Sequence, residues 1–599
     1  MNEQIRRSEV PEELTWDLTD IFATDEEWEA ELRAVNADLT TVTRYEGRLH
    51  EGADIFLACL QAQESLMEQL MRVGSYAYMR LAVDGTSEAN QGAVARVFSL
   101  RSRIEGSTAF VRSEALALPE GTLEQYLQDD PELESFRPAI EQMIEEKPYT
   151  LHPDAESVLA SLSEILDAPA TIYRQSKTTD MSFQPVRDGE GCERSMSFST
   201  YEGRYERSVD AVLRRNAFAS FTEGLRAYQN TYGTTWGTEV RKNVVLADLR
   251  GFPSAVDMML SWQQVPREVY EQIHDIILSE LAPHMRRYAR LRREVVGLDE
   301  MLYCDIEAPL DPDYHPETTY EEAAGIIQRG LEVLGPEYSE IIKSGLTERW
   351  IDRADNIGKS TGAFCNSVYG VHPYIMITWN DSMRGTLTLA HELGHAGQGV
   401  LAQKSQRLAA SRPSMFFIEA PSTINELLVA DYILQGSEDV RMRRWVIEQL
   451  LMTYHHNFVR HLIEGELQRR IYGLAEQGRP ISAGTLSDVQ GDILEQFWGE
   501  EITIEDGARL TWMRQPHYYR GLYPYSYAAG LTIGTASAAA IRDEGAPAAE
   551  RWLDVLRTGG TKKPLELAEM AGVDMREPEP IRAAVRYVGS LVDEMEESF

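Results

Sequence analysis

Apolar residues recur at helical spacing among charged ones over Glu26–Leu39, Ala53–Val83, Gln91–Leu118, Tyr320–Leu334, Met442–Glu476 and Ala548–Thr558. One apolar stripe per helix, with polar residues around the rest, is how a helix covers a core, so the pattern predicts a mainly α protein. Strand-like runs are few. The clearest is Tyr374–Trp379, which follows the Gly-containing run Ser360–Gly370. An extended patch, Lys177–Ser199, holds Pro185, Gly189, Gly191 and several Ser and Thr, and reads as a hairpin or loop. It marks a soft boundary between a helical N-terminal domain, residues 1–200, and a larger helical body, residues 201–599, with a small β-sheet. No fixed-period repeat and no low-complexity segment is present.

With 599 residues, 43 % of them hydrophobic, the chain can bury a large core, as several domains or as one body with an appended piece. No run approaches the roughly 20 uncharged apolar residues of a bilayer span. The nearest, Ala528–Ile541, is short and rich in Gly, Ala and Ser. The start, Met1 to Arg7, leads into acidic sequence and not into an apolar signal core. A soluble, cytoplasmic protein without a membrane partner is expected. The formal charge of −38 argues against a nucleic-acid binder, which needs a basic face to neutralise phosphates. Only eight lysines occur, so Arg supplies most of the positive charge; a salty cytoplasm and genome composition both explain that. Cys59, Cys192, Cys304 and Cys365 are far apart, with no CxxC pair, which argues for reduced thiols and against a structural zinc site or disulfide framework. Nothing in the pattern specifies an oligomeric state.

Chemistry enters at His391-Glu392-Leu393-Gly394-His395. On a helix, positions i and i+4 share a face, so both imidazoles can reach one zinc with Glu392 beside them as general base. Chance matches to HExxH arise in roughly a few per cent of chains this long. The competing explanation is two hydrogen-bonded histidines on a core helix. A catalytic zinc takes three protein ligands and keeps a position for water. The extended HExxHxxGxxH pattern fails, because Gln398 and Leu401 stand at its Gly and third-His positions. A carboxylate must serve, and none occurs from Ala396 to Ile418. The first is Glu419 and the next Glu426, seven residues on. On a helix both would face the metal helix, one ligating zinc and the other holding a ligating histidine from behind.

These residues resemble the thimet-oligopeptidase-like zinc peptidases, and within them the oligoendopeptidase F branch. The likeness rests on the HExxH run, on Glu419-Ala420-Pro421-Ser422 with Glu426, on Tyr374-Ile375-Met376-Ile377-Thr378-Trp379-Asn380, and on His517-Tyr518-Tyr519-Arg520 with Tyr523, Tyr525 and Tyr527. It runs from about Ala211 to near the C-terminus. Many relatives carry another histidine soon after the second ligand; Ala396–Val400 has none, and that position is not a family zinc ligand. The resemblance implies a helical fold enclosing a deep substrate channel, with one zinc per chain on His391, His395 and Glu419. It implies an endopeptidase cutting internal bonds of short unstructured peptides, with zinc-activated water and Glu392 as base. His517 and the tyrosines after it are the candidate donors to the developing oxyanion, Tyr527 matching the family donor best.

The remaining candidates carry less. Tyr523 and Tyr525 suit packing as well as catalysis. His455 and His456 are adjacent on a helical stretch and so point in different directions; His461 follows on the same stretch. His372-Pro373 reads as a turn, and Cys365 as a residue of a substrate-lining strand with no base partner for its thiol. Two other readings compete. One is a peptide-binding protein that has lost catalysis, against which the intact Glu392 stands. The other is an aminopeptidase or thermolysin-like enzyme, which would place its third carboxylate where Ser414 and Met415 stand.

Overall fold

The computed structural model describes residues 5–599; residues 1–4, the first part of the start discussed above, lie outside the described residues. The fold is helical over 73 % of its length, the mainly α class that the periodicity predicts. Numbering the principal helices in chain order, the N-terminal layer is α1 (Asp25–Thr43), α2 (Ala53–Val83) and α3 (Glu88–Ala117). The body contains α4 (Ala211–Arg250), α5 (Met383–Ser405), α6 (Ala420–Gly436), α7 (Val440–Tyr454), α8 (His461–Glu476) and α9 (Pro524–Glu544). A single wide turn of π-helix, His455–Arg460, joins α7 to α8. Such turns recur where a helix must re-aim side chains, often at functional sites.

Two apolar cores result. The smaller gathers residues from Trp16 to Ile140 and adds Val368, Tyr374 and Met376; the larger runs from Tyr173 to Met595. The change of core along the chain falls between Ile140 and Tyr173. The patch at Lys177–Ser199 contains an antiparallel hairpin, β1 (Val186–Arg187) with β2 (Glu193–Arg194).

The seam between the cores is a three-stranded sheet of β3 (Ile351–Asp352), β4 (Phe364–Asn366) and β5 (Tyr374–Met376), ordered β3-β5-β4. Successive side chains of a strand point to opposite faces. Accordingly Tyr374 and Met376 enter the smaller core and Ile375 the larger. Strand β5 pairs in parallel with β3 and antiparallel with β4. The start of the described chain lies along the same region: Ile5 bridges Asn356, and Arg353 donates its backbone N–H to the Leu14 carbonyl. Among the described residues no helix is long and apolar enough to cross a membrane. The run Ala528–Ile541 instead belongs to α9, where small residues let helices approach closely.

Candidate metal centre and active site

Helix α5 carries the HExxH residues. Ser382 caps it by accepting a hydrogen bond from the Gly385 N–H at 3.2 Å. Leu387, Leu389, Ala390, Leu393 and Ala396 bury its apolar side. That burial turns His391, Glu392 and His395 toward α6. Glu419 stands at the position preceding α6, and Glu426 two turns into it. The two helices nearly touch at Gly394: a Cβ there would lie 2.4 Å from the Pro421 carbonyl oxygen and 2.6 Å from the Ser422 Cα.

The close approach brings together three side chains that could hold a metal ion. Glu419 Oε2 lies 3.6 Å from His391 Nε2 and 3.5 Å from His395 Nε2, with the two rings near-perpendicular. Tetrahedral ligands about 2.0–2.2 Å from a small divalent ion stand about 3.3–3.5 Å from each other, so these atoms are spaced for one ion. The other ring nitrogen of His391 meets Glu426 Oε2 at 3.4 Å, and Thr453 donates to Glu426 Oε1 at 2.7 Å. Glu426 thus fixes the ring of His391 from behind, the usual support for a ligating imidazole. Electrostatics agree with this donor set. Burial alone would raise the Glu419 carboxyl; the two imidazoles outweigh it and hold the group well below its ordinary value. Burial alone would lower His391; Glu419 and Glu426 outweigh it and push the imidazole well up. A site that concentrates carboxylate charge on two imidazoles calls for positive charge between them.

Glu392 lies beside His391, 6 % exposed. Burial raises its carboxyl, with His391 and His395 opposing. No donor among the described residues hydrogen-bonds to it, and it faces a cavity of about 510 Å³ that His391, Glu419 and Tyr527 also line. Cys365 on the neighbouring strand β4 has its thiol pushed well up by burial and by the Glu392 charge, which disfavours the thiolate that a nucleophile needs.

The sequence-predicted donors separate in the structure. Tyr527 is on the first turn of α9 and reaches the cavity, its hydroxyl donating to the Tyr523 oxygen at 2.9 Å. Helix α9 sits close because Gly530 faces the Glu419 Cβ, where an added Cβ would be 3.1 Å away. His517 does not line this cavity. It packs edge-on to Tyr523, and its Nδ1 meets Glu464 Oε2 at 3.1 Å. Tyr525 is fully buried, donating to Gln263 and packed on Tyr270; it is a core residue.

Sequence reasoning missed the setting of His517. Glu464 Oε2 also takes His461 Nδ1 at 3.0 Å, His461 Nε2 meets His456 Nε2 at 3.0 Å, and the His461 ring stacks on Tyr527 at 4.1 Å. His461, Glu464 and His517 are the other group among the described residues whose atoms are close enough for a metal. Their 3.0–3.1 Å spacings are hydrogen-bond lengths, shorter than the separations around a tetrahedral ion. The cluster therefore reads as a carboxylate holding two imidazoles. The π-turn sorts the adjacent pair: His455 turns to Glu307 at 3.0 Å, and His456 to His461 and the cavity.

Known proteins match over nearly the whole chain. Residues 204–587 fit the model of peptidase family M3, and residues 114–183 fit that of oligopeptidase F. Oligopeptidase PepF of Bacillus subtilis is 34 % identical over 99 % of this chain and 88 % of its own. An oligoendopeptidase F homolog of Borreliella burgdorferi is 27 % identical over 99 % of this chain and 100 % of its own. The solved structure of oligoendopeptidase-F from Enterococcus faecium superposes with a TM-score of 0.75 at 24 % identity, covering 96 % of this chain and 99 % of that one, which speaks for the fold.

Proposed function

This chain belongs to peptidase family M3, and from that premise we propose that it is a zinc-dependent endopeptidase that cuts internal bonds of short, unstructured peptides. The observation that carries the reading is the spacing of Glu419 Oε2 from the imidazoles of His391 and His395, 3.6 and 3.5 Å, with Glu392 on the same cavity and its carboxylate accepting no hydrogen bond from the described residues. His391, His395 and Glu419 would hold the ion. When bound, zinc supplies a Lewis acid and a water of lowered pKa. Glu392 accepts the proton of the attacking water on its free carboxylate, and later returns it to the leaving amine. Tyr527 turns its hydroxyl from Tyr523 to the carbonyl oxygen as charge develops there. His517, with Nδ1 fixed by Glu464, supports the same region through Tyr523. A cytoplasmic address is part of the reading, and four cysteines without disulfide partners support it.

The test is mass spectrometry of a mixed pool of short peptides, with and without a chelator. Internal cuts that vanish on chelation and return with zinc are expected, while a folded protein stays intact. Removal of single N-terminal residues only, or efficient digestion of a native protein, would refute the reading.

Tyr527→Phe isolates the donor role, because it removes the hydroxyl and keeps the stack on His461. An interaction realised only in the transition state affects turnover more than binding. We expect kcat to fall about 100- to 1000-fold, with KM, zinc content and melting temperature little changed. Unchanged turnover in the zinc-loaded variant would remove Tyr527 from the mechanism.

A further inference from the structure

The wall of the cavity carries a cation that the chemistry above does not use. Arg384 lies on the first turn of α5, and Arg384, Thr388 and His391 all line the cavity. Their spacing, i, i+4 and i+7, puts them along one face of the helix. The side chain is open to water, yet protein encloses it closely enough for burial to disfavour its charge; it stands inside a cavity, not on an outer surface. Its only hydrogen-bond partner among the described residues is Gln449 Oε1, at 3.2 Å from Nη1. No carboxylate among them comes within 4.0 Å of the guanidinium. The carboxylate that most favours its charge is Glu426, which His391 and Thr453 already engage.

The neighbouring charges do not consume this cation. Arg207 lines the same wall but is tied to Glu307 at 3.4 Å, and Glu307 also takes His455 at 3.0 Å and Arg460 at 3.6 Å. Arg384 is thus a guanidinium with free donors, in the cavity of a chain whose formal charge is −38. Such a fork is matched to a carboxylate. Seven helical residues separate Arg384 from His391, a rise of about 10 Å. An extended peptide covers that distance in about three residues.

Resting on the peptidase reading, the geometry points to Arg384 as a specificity-determining residue that binds a carboxylate of the substrate peptide about three residues from the bond to be cut. The C-terminal carboxylate and an acidic side chain share this chemistry.

The test measures binding, so that it does not depend on turnover. Three fluorescein-labelled heptapeptides of Ala, Gly and Phe are used: a free acid, its C-terminal amide, and the amide with Asp as last residue. Fluorescence anisotropy is followed on the zinc-loaded Glu392→Gln protein with and without Arg384→Gln. The free acid, the Asp amide or both should bind about 10- to 100-fold tighter than the plain amide, the worth of a charge-assisted hydrogen-bonded pair. Which of the two gains identifies the source of the carboxylate. Adding Arg384→Gln should abolish that advantage while leaving plain-amide affinity and zinc content unchanged; Arg384→Lys should keep part of it. Equal binding of all three peptides, or an Arg384→Gln loss that falls equally on all of them with loss of zinc, overturns the proposal; the latter would make Arg384 only a support for Glu426. Failure of the wild-type protein to cut any peptide would instead count against the peptidase reading.

Discussion

Glu392→Gln is expected to keep its zinc and lose about 100- to 10,000-fold in kcat, the range spanned by positioned general bases. The substitution is nearly isosteric; it replaces the carboxylate by a neutral amide, whose oxygen cannot take up a proton. Two observations make the site sensitive to that change. No hydrogen bond from the described residues occupies the carboxylate, and burial at 6 % exposure favours its uptake of a proton. Zinc should stay, because Glu392 is outside the triad of His391, His395 and Glu419. Metal analysis beside steady-state kinetics checks both halves of the expectation. A variant with full zinc and most of its turnover would show that another group is the base.

The second large effect is expected at a residue with no chemistry of its own. Gly394→Ala adds one methyl group at the crossing of α5 and α6, 2.4 Å from the Pro421 carbonyl oxygen. The obstacle is backbone, so no side-chain rotation relieves it. The helices must part, at a cost of about 1–3 kcal/mol for overpacking. The functional loss should be larger than that figure suggests. Glu419 and Glu426 move with α6, and ligand distances must hold to within about 0.2 Å for the ion to stay. We expect a lower melting temperature and at least about a tenfold loss of zinc affinity, read by thermal unfolding and by competition with a zinc-binding dye. Wild-type values of both would mean that the crossing is looser than the structure indicates.

What the sequence could convey follows from how local each feature is. Helices with one apolar face stand out, and Ala53–Val83 is bounded alike by periodicity and by structure. The 40-residue α4 does not stand out. Its buried residues share one face, but Arg214, Thr222, Thr235, Glu239 and Asn243 stand among them while Val212, Val245 and Leu249 are exposed, which blurs the apolar stripe; it also holds glycines at 224, 233 and 237. Gly233 is there for contact: a Cβ would meet the Ala483 backbone nitrogen at 2.8 Å. The π-turn at His455–Arg460 leaves no trace, because apolar spacing runs through it. At the site, His391, Glu392, His395, Glu419 and Glu426 form one compact signal, with partners at most 35 residues apart. Glu464 with His517 is a pair 53 residues apart, and Arg384 is an ordinary arginine until the cavity around it is seen. Reading the i−7 position of the HExxH helix as a point on the same face would have found Arg384.

The sheet at the seam sets a timetable. Trp16 packs against Phe364 at 6.4 Å and Tyr374 at 6.1 Å between ring centroids. The layer around Trp16 therefore needs residues made some 350 positions after it. At about 5–20 residues per second, that is roughly 20–70 seconds of synthesis. Through that interval α1, α2 and α3 can pack on one another, but the apolar face meant for Val368, Tyr374 and Met376 has nothing to cover it. This layer is made well before its cover and completed late, and a nascent chain of this design offers chaperones a defined surface to hold.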